Sequence, residues 1–465
     1  MHPCATPEFS MSLSIVILAA GQGTRMRSAL PKVLHPIGGK PLLRHVINTA
    51  SQLSPDSIHV VFGHGGDQVR EVLADADVSW IEQAEQLGTG HAVDQVMPLI
   101  SDDNTVLVLY GDVPLITPET LQPMVEQAGS GKLSVLTAVL DDPCGYGRMV
   151  RDDEGRLTSI VEHKDASEEH LQIREINTGF LAAPAGMLRG WLSRLDNSNA
   201  QGEYYLTDVI AMAAADGVAV ESVGAADEFE ILGVNDRVQL ATLERAYQRR
   251  LADQLMRAGV TLADPARIDI RGELFTGRDC SIDVNAVFEG NVRLGDGVCI
   301  GPNCVISNTR IGDATQVFAN CVIEDACIGG SSRIGPFARI RPETELDERV
   351  HVGNFVEIKK SKIAAGSKVN HLSYIGDTRM GSGVNIGAGT ITCNYDGANK
   401  HLTEIGNDVF IGSDTQLVAP VRVGDGATIG AGTTVTREVP AGELTLSRSP
   451  QKTIEGWRRP VKKRS

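Results

Sequence analysis

Long apolar runs are missing from this 465-residue chain. None approaches the roughly 18 residues or more that a membrane span needs, so a bilayer-embedded protein is not expected. Positive charge is also short. With a formal net charge of -16, neither nucleic acid nor a membrane surface is an expected partner, and any cationic binding group must be a local arrangement. The eight cysteines contain no Cys-x-x-Cys pair and no zinc spacing, the pattern of reduced thiols in a cytoplasmic protein. The first apolar run, Ile15 to Ala20, has no basic flank and leads into a glycine loop, which makes it a strand and not a signal peptide. Met1 to Ser10 read as an extension ahead of an alternative start at Met11.

What the chain carries instead is a six-residue ruler. Apolar residues fall at Ile282, Phe288, Leu294, Ile300 and Ile306, then, with occasional steps of five, through Ile311, Val317, Ile323, Ile328, Ile334, Ile340, Leu346, Val352, Ile358, Ile363, Val369, Ile375, Met380 and Ile386 to Thr392. After a gap the ruler resumes at Ile405, Ile411, Leu417, Val423, Ile429 and Val435. Only Thr392 is not a large apolar residue, and glycine follows half of these positions. A period of six fits neither the 3.6 of a helix nor a simple alternating strand, but it suits a parallel β-helix of hexapeptide repeats, with one inward aliphatic side chain per short strand and glycine helping the chain turn its corners. At about 18 residues per coil and roughly 4.8 Å per rung, eight to nine coils would make a rod of about 40 Å. The largest break, Cys393 to Glu404, marks a loop on one face, where solenoids often bind ligands.

The N-terminal half has a different rhythm. Strand-like runs at Ser12–Ala20, Ile58–Phe62, Val106–Tyr110 and Leu133–Leu140 alternate with helical runs at Pro41–Leu53, Asp67–Leu73 and Thr120–Gln127, the signature of a mostly parallel sheet covered by helices. The first strand opens into Gly21-Gln22-Gly23-Thr24-Arg25-Met26, with Pro31-Lys32 beyond. Such a turn exposes backbone N–H groups that can cradle phosphates. No Gly-Lys-Ser/Thr follows, and Met26 stands where a dinucleotide fingerprint needs glycine, so both familiar loops are excluded. By itself the turn is equally a plain strand-to-helix corner, but Arg25 and Lys32 supply the cations a triphosphate needs. Asp112, at the carboxyl end of Val106–Tyr110, suits a Mg²⁺ ligand or a simple turn. Between the halves, Val238, Leu240, Leu243, Tyr247, Leu251 and Leu255 recur at helical spacing, with Asp236 as N-cap and Gly259 as stop. The expected domains are therefore 1–236, a helical linker 237–258, and 259–465.

These motifs carry a resemblance. Leu18-Ala-Ala-Gly-x-Gly-Thr-Arg-Met, Pro31-Lys32, Gln83-Ala-Glu-Gln-Leu-Gly88-Thr89-Gly-His, Tyr110-Gly111-Asp112, Gly145-Tyr-Gly147-Arg, Glu162-His-Lys, Glu175-Ile-Asn177 and Gly233-Val-Asn235 together resemble a sugar-nucleotide pyrophosphorylase. Joined to the hexapeptide ruler, the chain is similar from Leu13 to Arg464 to the bacterial bifunctional N-acetylglucosamine-1-phosphate uridylyltransferase and glucosamine-1-phosphate N-acetyltransferase family. The resemblance implies a Rossmann-like α/β nucleotidyltransferase domain joined by a long helix to a left-handed parallel β-helix. It implies that Leu18, Ala19, Ala20, Gly21 and Lys32 hold UTP with Arg25 near its phosphates, and that Gln83, Gly88 and Thr89 read uracil. Tyr110 and Gly111 line the same site, Gly147, Glu162 and Asn177 hold the amino sugar, and Asp112 with Asn235 binds Mg²⁺.

On the rod, Arg341, Lys359, His371, Tyr374 and Asn385 are polar residues that a solenoid does not require. A lone solenoid histidine is more often structural than catalytic, but this one shares its region with two cations and the insertion. Acyl transfer to a sugar amine needs a base near neutrality, which histidine provides, and amide donors for the oxyanion, which the Asn394-Tyr395 loop could provide. With Arg341 and Lys359, Lys400 would neutralise the sugar phosphate; the resemblance makes His371 the general base and gives Arg341, Lys359, Tyr374 and Asn385 to the acceptor sugar. Ala388, Asn394, Tyr395, Ser413, Ala431 and Arg448 would contact acetyl-CoA. It further implies a homotrimer with acetyl sites at subunit contacts, whose product, UDP-N-acetylglucosamine, is the precursor of bacterial wall polymers. The basic tail Arg458–Arg464 reads as a solvated segment or as help for the coenzyme's phosphates. Two rivals are a single-activity pyrophosphorylase on a structural rod, which the His371 and Asn394-Tyr395 constellation opposes, and a non-catalytic regulatory subunit, which intact Lys32, Asp112 and Asn235 oppose.

Overall fold

The computed structural model describes residues 12–462 apart from Gln22, His64 and Ala200. The Met1–Ser10 extension, Met11 and the last residues of the basic tail lie outside the described residues. The chain divides into two compact units, Met1–Tyr247 and Gln248–Ser465.

The first unit is built on strands β1 (Leu13–Ala19), β2 (Ser57–Phe62), β3 (Ser79–Glu82), β4 (Thr105–Tyr110), β5 (Leu133–Val139), β6 (Arg148–Arg151), β7 (Leu157–Val161), β8 (Glu175–Pro184) and β9 (Val220–Gly224). They stand in the order β9-β5-β8-β4-β1-β2-β3, with the β6–β7 hairpin hung on β8. All neighbours along this path are parallel except β8, which runs antiparallel to both β4 and β5. Alternation along β1 explains its continuous apolar run: Ile15 and Ile17 pack on one face with Leu107 and Leu109, Val16 and Leu18 on the other with Val106 and Val108. Helices Leu42–Gln52 and Pro118–Gly129 cover the first face, and Ala185–Leu192 with Asp208–Ala215 the second. The carboxyl ends of β1, β2 and β4 consequently lie side by side, at Ala19, Phe62 and Tyr110.

A 21-residue helix, Arg237–Arg257, runs through the boundary between the units. Asp236 caps it as expected, its Oδ1 accepting from Val238 N and Gln239 N at 2.9 Å each, and Gly259 ends it at φ 97°. Val238 departs from the expected apolar stripe. It is 76% exposed, whereas Leu243 is 1% exposed, because five residues turn Val238 by more than about 100° away from the side on which Leu240, Leu243 and Tyr247 join one core.

The second unit is a solenoid of parallel strands. Its rungs stack in register on three faces: Ile282, Ile300, Val317, Ile334 and Val352 on the first, Phe288, Ile306, Ile323, Ile340 and Ile358 on the second, Leu294, Ile311, Ile328, Leu346 and Ile363 on the third. Every ruler residue is buried, Thr392 included. Each such aliphatic is worth about 1.5–3 kcal/mol of transfer free energy, and together they form one continuous core. The solenoid is longer than the ruler. Thr261–Leu262 and Leu444–Thr445 extend the first face to eleven strands, beyond the eight to nine coils expected, because the end coils are not of regular length.

The glycines after the ruler positions also act differently from expectation. With the exception of Gly335 they do not take positive φ. They are needed because coils press together there: a Cβ on Gly301 would sit 2.9 Å from Ala319 N, and one on Gly412 2.5 Å from Ala431 N. The left-handed corners are taken by residues such as Asn303, Asn320 and Phe337 instead.

Candidate functional sites

In the first unit the turn after β1 is shaped by Gly23, at φ 61°, where a Cβ would lie 2.7 Å from Lys32 Cβ. That close approach fixes Lys32 beneath the turn. Its ammonium pairs with the Asp112 carboxylate and reaches Asn235 Oδ1 at 3.3 Å, and Arg25 Nη2 donates to the same Asn235 oxygen at 3.1 Å. Four residues from remote parts of the chain, Arg25, Lys32, Asp112 and Asn235, thus converge. Two oxygen donors, one carboxylate and one amide, aim at one point, which is the chemistry a hard divalent cation takes when its remaining ligands are water and phosphate. Val234 N donates to Asp112 O at 2.9 Å, joining the two loops that carry these donors. Glu230 ties them further. Its buried carboxylate accepts from Thr117 Oγ1 at 3.1 Å and Thr120 Oγ1 at 2.5 Å.

Beside this cluster a cavity of about 230 Å³ is bounded by Leu18, Ala20, Gly21, Gln83, Gly88 and Thr89, with Tyr110 and Asp112 on its wall. Gln83 is buried and its amide donates to Gly88 O at 3.1 Å. Gly88 takes φ 116°, and a Cβ there would be 2.6 Å from Tyr204 O, so only glycine lets the Glu203–Tyr204 segment pass this close. Thr89 Oγ1 accepts from Leu206 N at 3.1 Å. Four wall residues were not singled out from sequence: the apolar Val33 and Ala92, Gln86, whose amide donates to Ala20 O at 2.7 Å, and Glu203. Gln86 lies inside the Gln83–His91 motif but was given no role there.

The residues expected to hold the sugar gather next to that cavity. Asn177 N donates to Gly147 O at 2.9 Å, and a Cβ on Gly147 would press on Glu162 at 3.3 Å from Oε1. Pairing of β8 shifts register between Asn177 and Leu181, and Gly179 at φ 92° lets Tyr110 lie where a Cβ would stand, 2.6 Å from Cε2. Burial pushes the Glu162 carboxyl above its usual range, with Asp208 and Asp165 adding to it against the Thr207 hydrogen bond. Tyr110 is pushed up as well, first by burial, then by the charges of Asp112 and Glu162, so it faces both groups as a neutral phenol.

On the solenoid the expected residues fall into two groups and one outlier. At the corner between the first and second faces, Ala388, Ser413 and Ala431 stack on successive coils: Gly387 packs on Ser413 N, Gly412 on Ala431 N, and Arg448 lies against Gly430 and Gly432. His371 is one coil earlier on that corner, where Gly389 N donates to His371 O at 3.2 Å, and its Nδ1 lies 3.0 Å from Asn354 Oδ1. At the opposite end of the second-face strands, Arg341, Lys359 and the insertion meet. Arg341 pairs with Glu357 at 2.7 Å. The neighbouring Lys400 holds Lys359 below the usual lysine range. Asn394 is buried, donating to Asp377 Oδ2 at 2.5 Å and to Tyr374 OH at 3.4 Å. Tyr395 is exposed and bridges back to Lys400. Asn385 stands apart on the first face, paired with Lys368 and Phe410. A groove of about 1170 Å³ along the third face reaches Asp377 and Lys400 but not His371.

Three family models match segments of the chain: a MobA-like NTP transferase domain over residues 15–211, a GMPPB C-terminal domain over 270–352, and a bacterial transferase hexapeptide (six repeats) over 402–437. Among curated proteins, the bifunctional protein GlmU of Alkalilimnicola ehrlichii is 60% identical, covering 97% of each chain. Those of Cupriavidus pinatubonensis and Ralstonia nicotianae are both 61% identical, covering 97% of this chain and 99% of their own.

Proposed function

The chain belongs to the family of bifunctional GlmU proteins, and from that premise we propose how its residues divide two reactions between two units. It is a transferase with a nucleotidyltransferase domain and a hexapeptide acyltransferase domain. Acetyl passes from acetyl-CoA to glucosamine-1-phosphate on the solenoid. UMP then passes from UTP to N-acetylglucosamine-1-phosphate in the N-terminal unit. The observation that carries the reading is the meeting of Arg25, Lys32, Asp112 and Asn235 beside a cavity bounded by Gln83, Gly88 and Thr89.

In uridylyl transfer a phosphate oxygen of the sugar attacks the α-phosphorus of UTP in line and pyrophosphate leaves. No protein nucleophile is needed, since positioning and charge neutralisation supply the rate. Leu18 to Gly21 line the nucleotide, Gln83 and Thr89 meet the base, and Glu162 with Asn177 orients the sugar. Lys32 and Arg25 face the phosphates. Asp112 and Asn235 would hold Mg²⁺, which when bound neutralises charge on the triphosphate.

In acetyl transfer His371 accepts a proton from the sugar's ammonium, and the free amine attacks the thioester carbonyl. The tetrahedral intermediate expels coenzyme thiolate, which takes up the second proton that the attacking nitrogen loses as the amide forms. Asn354, if accepting from Nδ1–H, leaves Nε2 as the basic atom. Arg341, Lys359 and Lys400 receive the sugar phosphate, and the stack Ala388, Ser413 and Ala431, ending at Arg448, lies along the coenzyme. Because Asn385 is remote from the other sugar residues in a single chain, the reading includes a homotrimer in which a neighbouring copy completes the acceptor site. None of the helices among the described residues is long and apolar enough to cross a membrane, which accords with a cytoplasmic enzyme.

The test is a coupled assay on the purified chain with glucosamine-1-phosphate, acetyl-CoA, UTP and Mg²⁺, following free thiol and pyrophosphate separately. Both are expected, with pyrophosphate dependent on prior acetylation. Pyrophosphate from supplied N-acetylglucosamine-1-phosphate with no thiol release would leave a uridylyltransferase on a structural rod.

A further inference from the structure

Asp377 has no assigned part in either reaction, yet it stands where the insertion leaves and rejoins its coil. Its N–H donates to Lys359 O at 3.1 Å and its carbonyl accepts from Thr403 N at 3.0 Å, so its backbone ties the preceding coil to the end of the insertion. The residue is only 8% exposed, and a carboxylate that deep requires compensation. Compensation comes from Asn394, whose amide donates to Oδ2 at 2.5 Å; the Lys359 and Lys400 ammonium groups make no direct ion pair with it, but its charge favours their charged forms.

The surroundings show why a neutral acceptor would not serve equally. Lys359 faces Lys400 from the insertion, Arg341 from the preceding coil and Asp377 from the following one. Lys400 also faces Tyr374 and Arg341. Glu357 is engaged by Arg341. Asp377 is therefore the acid that opposes the repulsion between the two lysines.

We propose that Asp377 is a positioning residue for acetyl transfer: its carboxylate anchors the Asn394 amide and balances the Lys359–Lys400 pair, so that the insertion presents both to substrate in one arrangement. The proposal rests on reading this corner as part of the acetyl-transfer site. Asp377→Asn separates its two parts, since the amide oxygen still accepts from Asn394 while the charge is gone.

The experiment follows thiol release by the full chain across pH with acetyl-CoA and glucosamine-1-phosphate, using wild type, Asp377→Asn and Asp377→Ala, with pyrophosphate release from supplied N-acetylglucosamine-1-phosphate as control. Asp377→Asn is expected to keep kcat but to move the alkaline limb of kcat/KM about one unit to lower pH, because Lys359 loses a counter-charge. Asp377→Ala is expected to lower kcat as well, by about 10²-fold, through misplacement of Asn394, with pyrophosphate release unchanged. An Asp377→Asn profile superposable on wild type, or an Asp377→Ala kcat within about twofold of it, overturns the proposal and leaves the acetyl-transfer reading standing. Wild type that releases no thiol overturns both. Should Asp377→Ala lose its thermal transition, the alkaline limb of Asp377→Asn decides alone.

Discussion

Glu162, proposed to orient the sugar, illustrates how such a residue would work against its own fold. Burial raises its carboxyl above the ordinary range, so ionising it costs more in the native chain than in the unfolded one. The cost is absent below the unfolded value and grows as pH rises toward the folded value, above which it is fully present. Glu162→Gln should therefore raise the melting temperature near pH 8 and leave it unchanged near about pH 4. It should also raise KM for N-acetylglucosamine-1-phosphate by about tenfold or more, since a charged acceptor becomes a neutral one. Thermal melts at the two pH values and initial rates check both halves. A stabilisation that is equal at both pH values would mean that ionisation is not its cause. Glu162 was legible because it stands in a motif; Glu230 and Asp377 were not, and Gln86 went unmarked inside its motif, because each acts through a partner that only the fold supplies.

Among the elements, the strand Ile391–Cys393 explains the one exception to the ruler. In other coils the residue after the ruler position donates to the backbone of the next coil, as Arg341 N does to Ile358 O at 2.8 Å. At Gly376 the insertion begins one coil on, Thr392 O is turned to Asn394 N at 2.9 Å, and the Gly376 N–H goes to Thr392 Oγ1 at 2.7 Å. The hydroxyl stands in for a carbonyl. Thr392→Val would restore the aliphatic pattern and leave that buried N–H without its acceptor, so it should destabilise the solenoid by about 1–3 kcal/mol despite being more apolar, read as a lower midpoint in urea. A stabilised variant would refute the assignment. Periodicity thus gave the faces and the position of the insertion, while three features escaped it. The end coils depart from the period, the glycines answer to contact between coils, and β8 carries Asn177, Thr178 and Gly179 inside an otherwise apolar run: Thr178 donates to Leu136 O at 2.8 Å, and Gly179 makes room for Tyr110.

For the molecule as a whole, the essential point is that the residues proposed for the two reactions fall in different compact units of the chain. Asp112 and the cluster around it belong to Met1–Tyr247, whereas His371 and the insertion belong to Gln248–Ser465. Substitutions that share no partner act independently. Asp112→Ala should therefore abolish pyrophosphate release and leave thiol release at its wild-type rate, and His371→Ala should do the reverse, each by about 10²–10³-fold or more in the affected step. Neither chain alone can convert glucosamine-1-phosphate to the nucleotide sugar. A mixture of the two should, after a lag in which N-acetylglucosamine-1-phosphate made by the first accumulates and is taken up by the second. The lag should shorten as the concentration of the His371→Ala chain rises, because the intermediate travels through solution and its steady level is set by the chain that consumes it. If the mixture stays inactive although each chain keeps its own half-reaction, the intermediate is not free to exchange, and the two units operate as one catalytic device rather than as two enzymes on one chain.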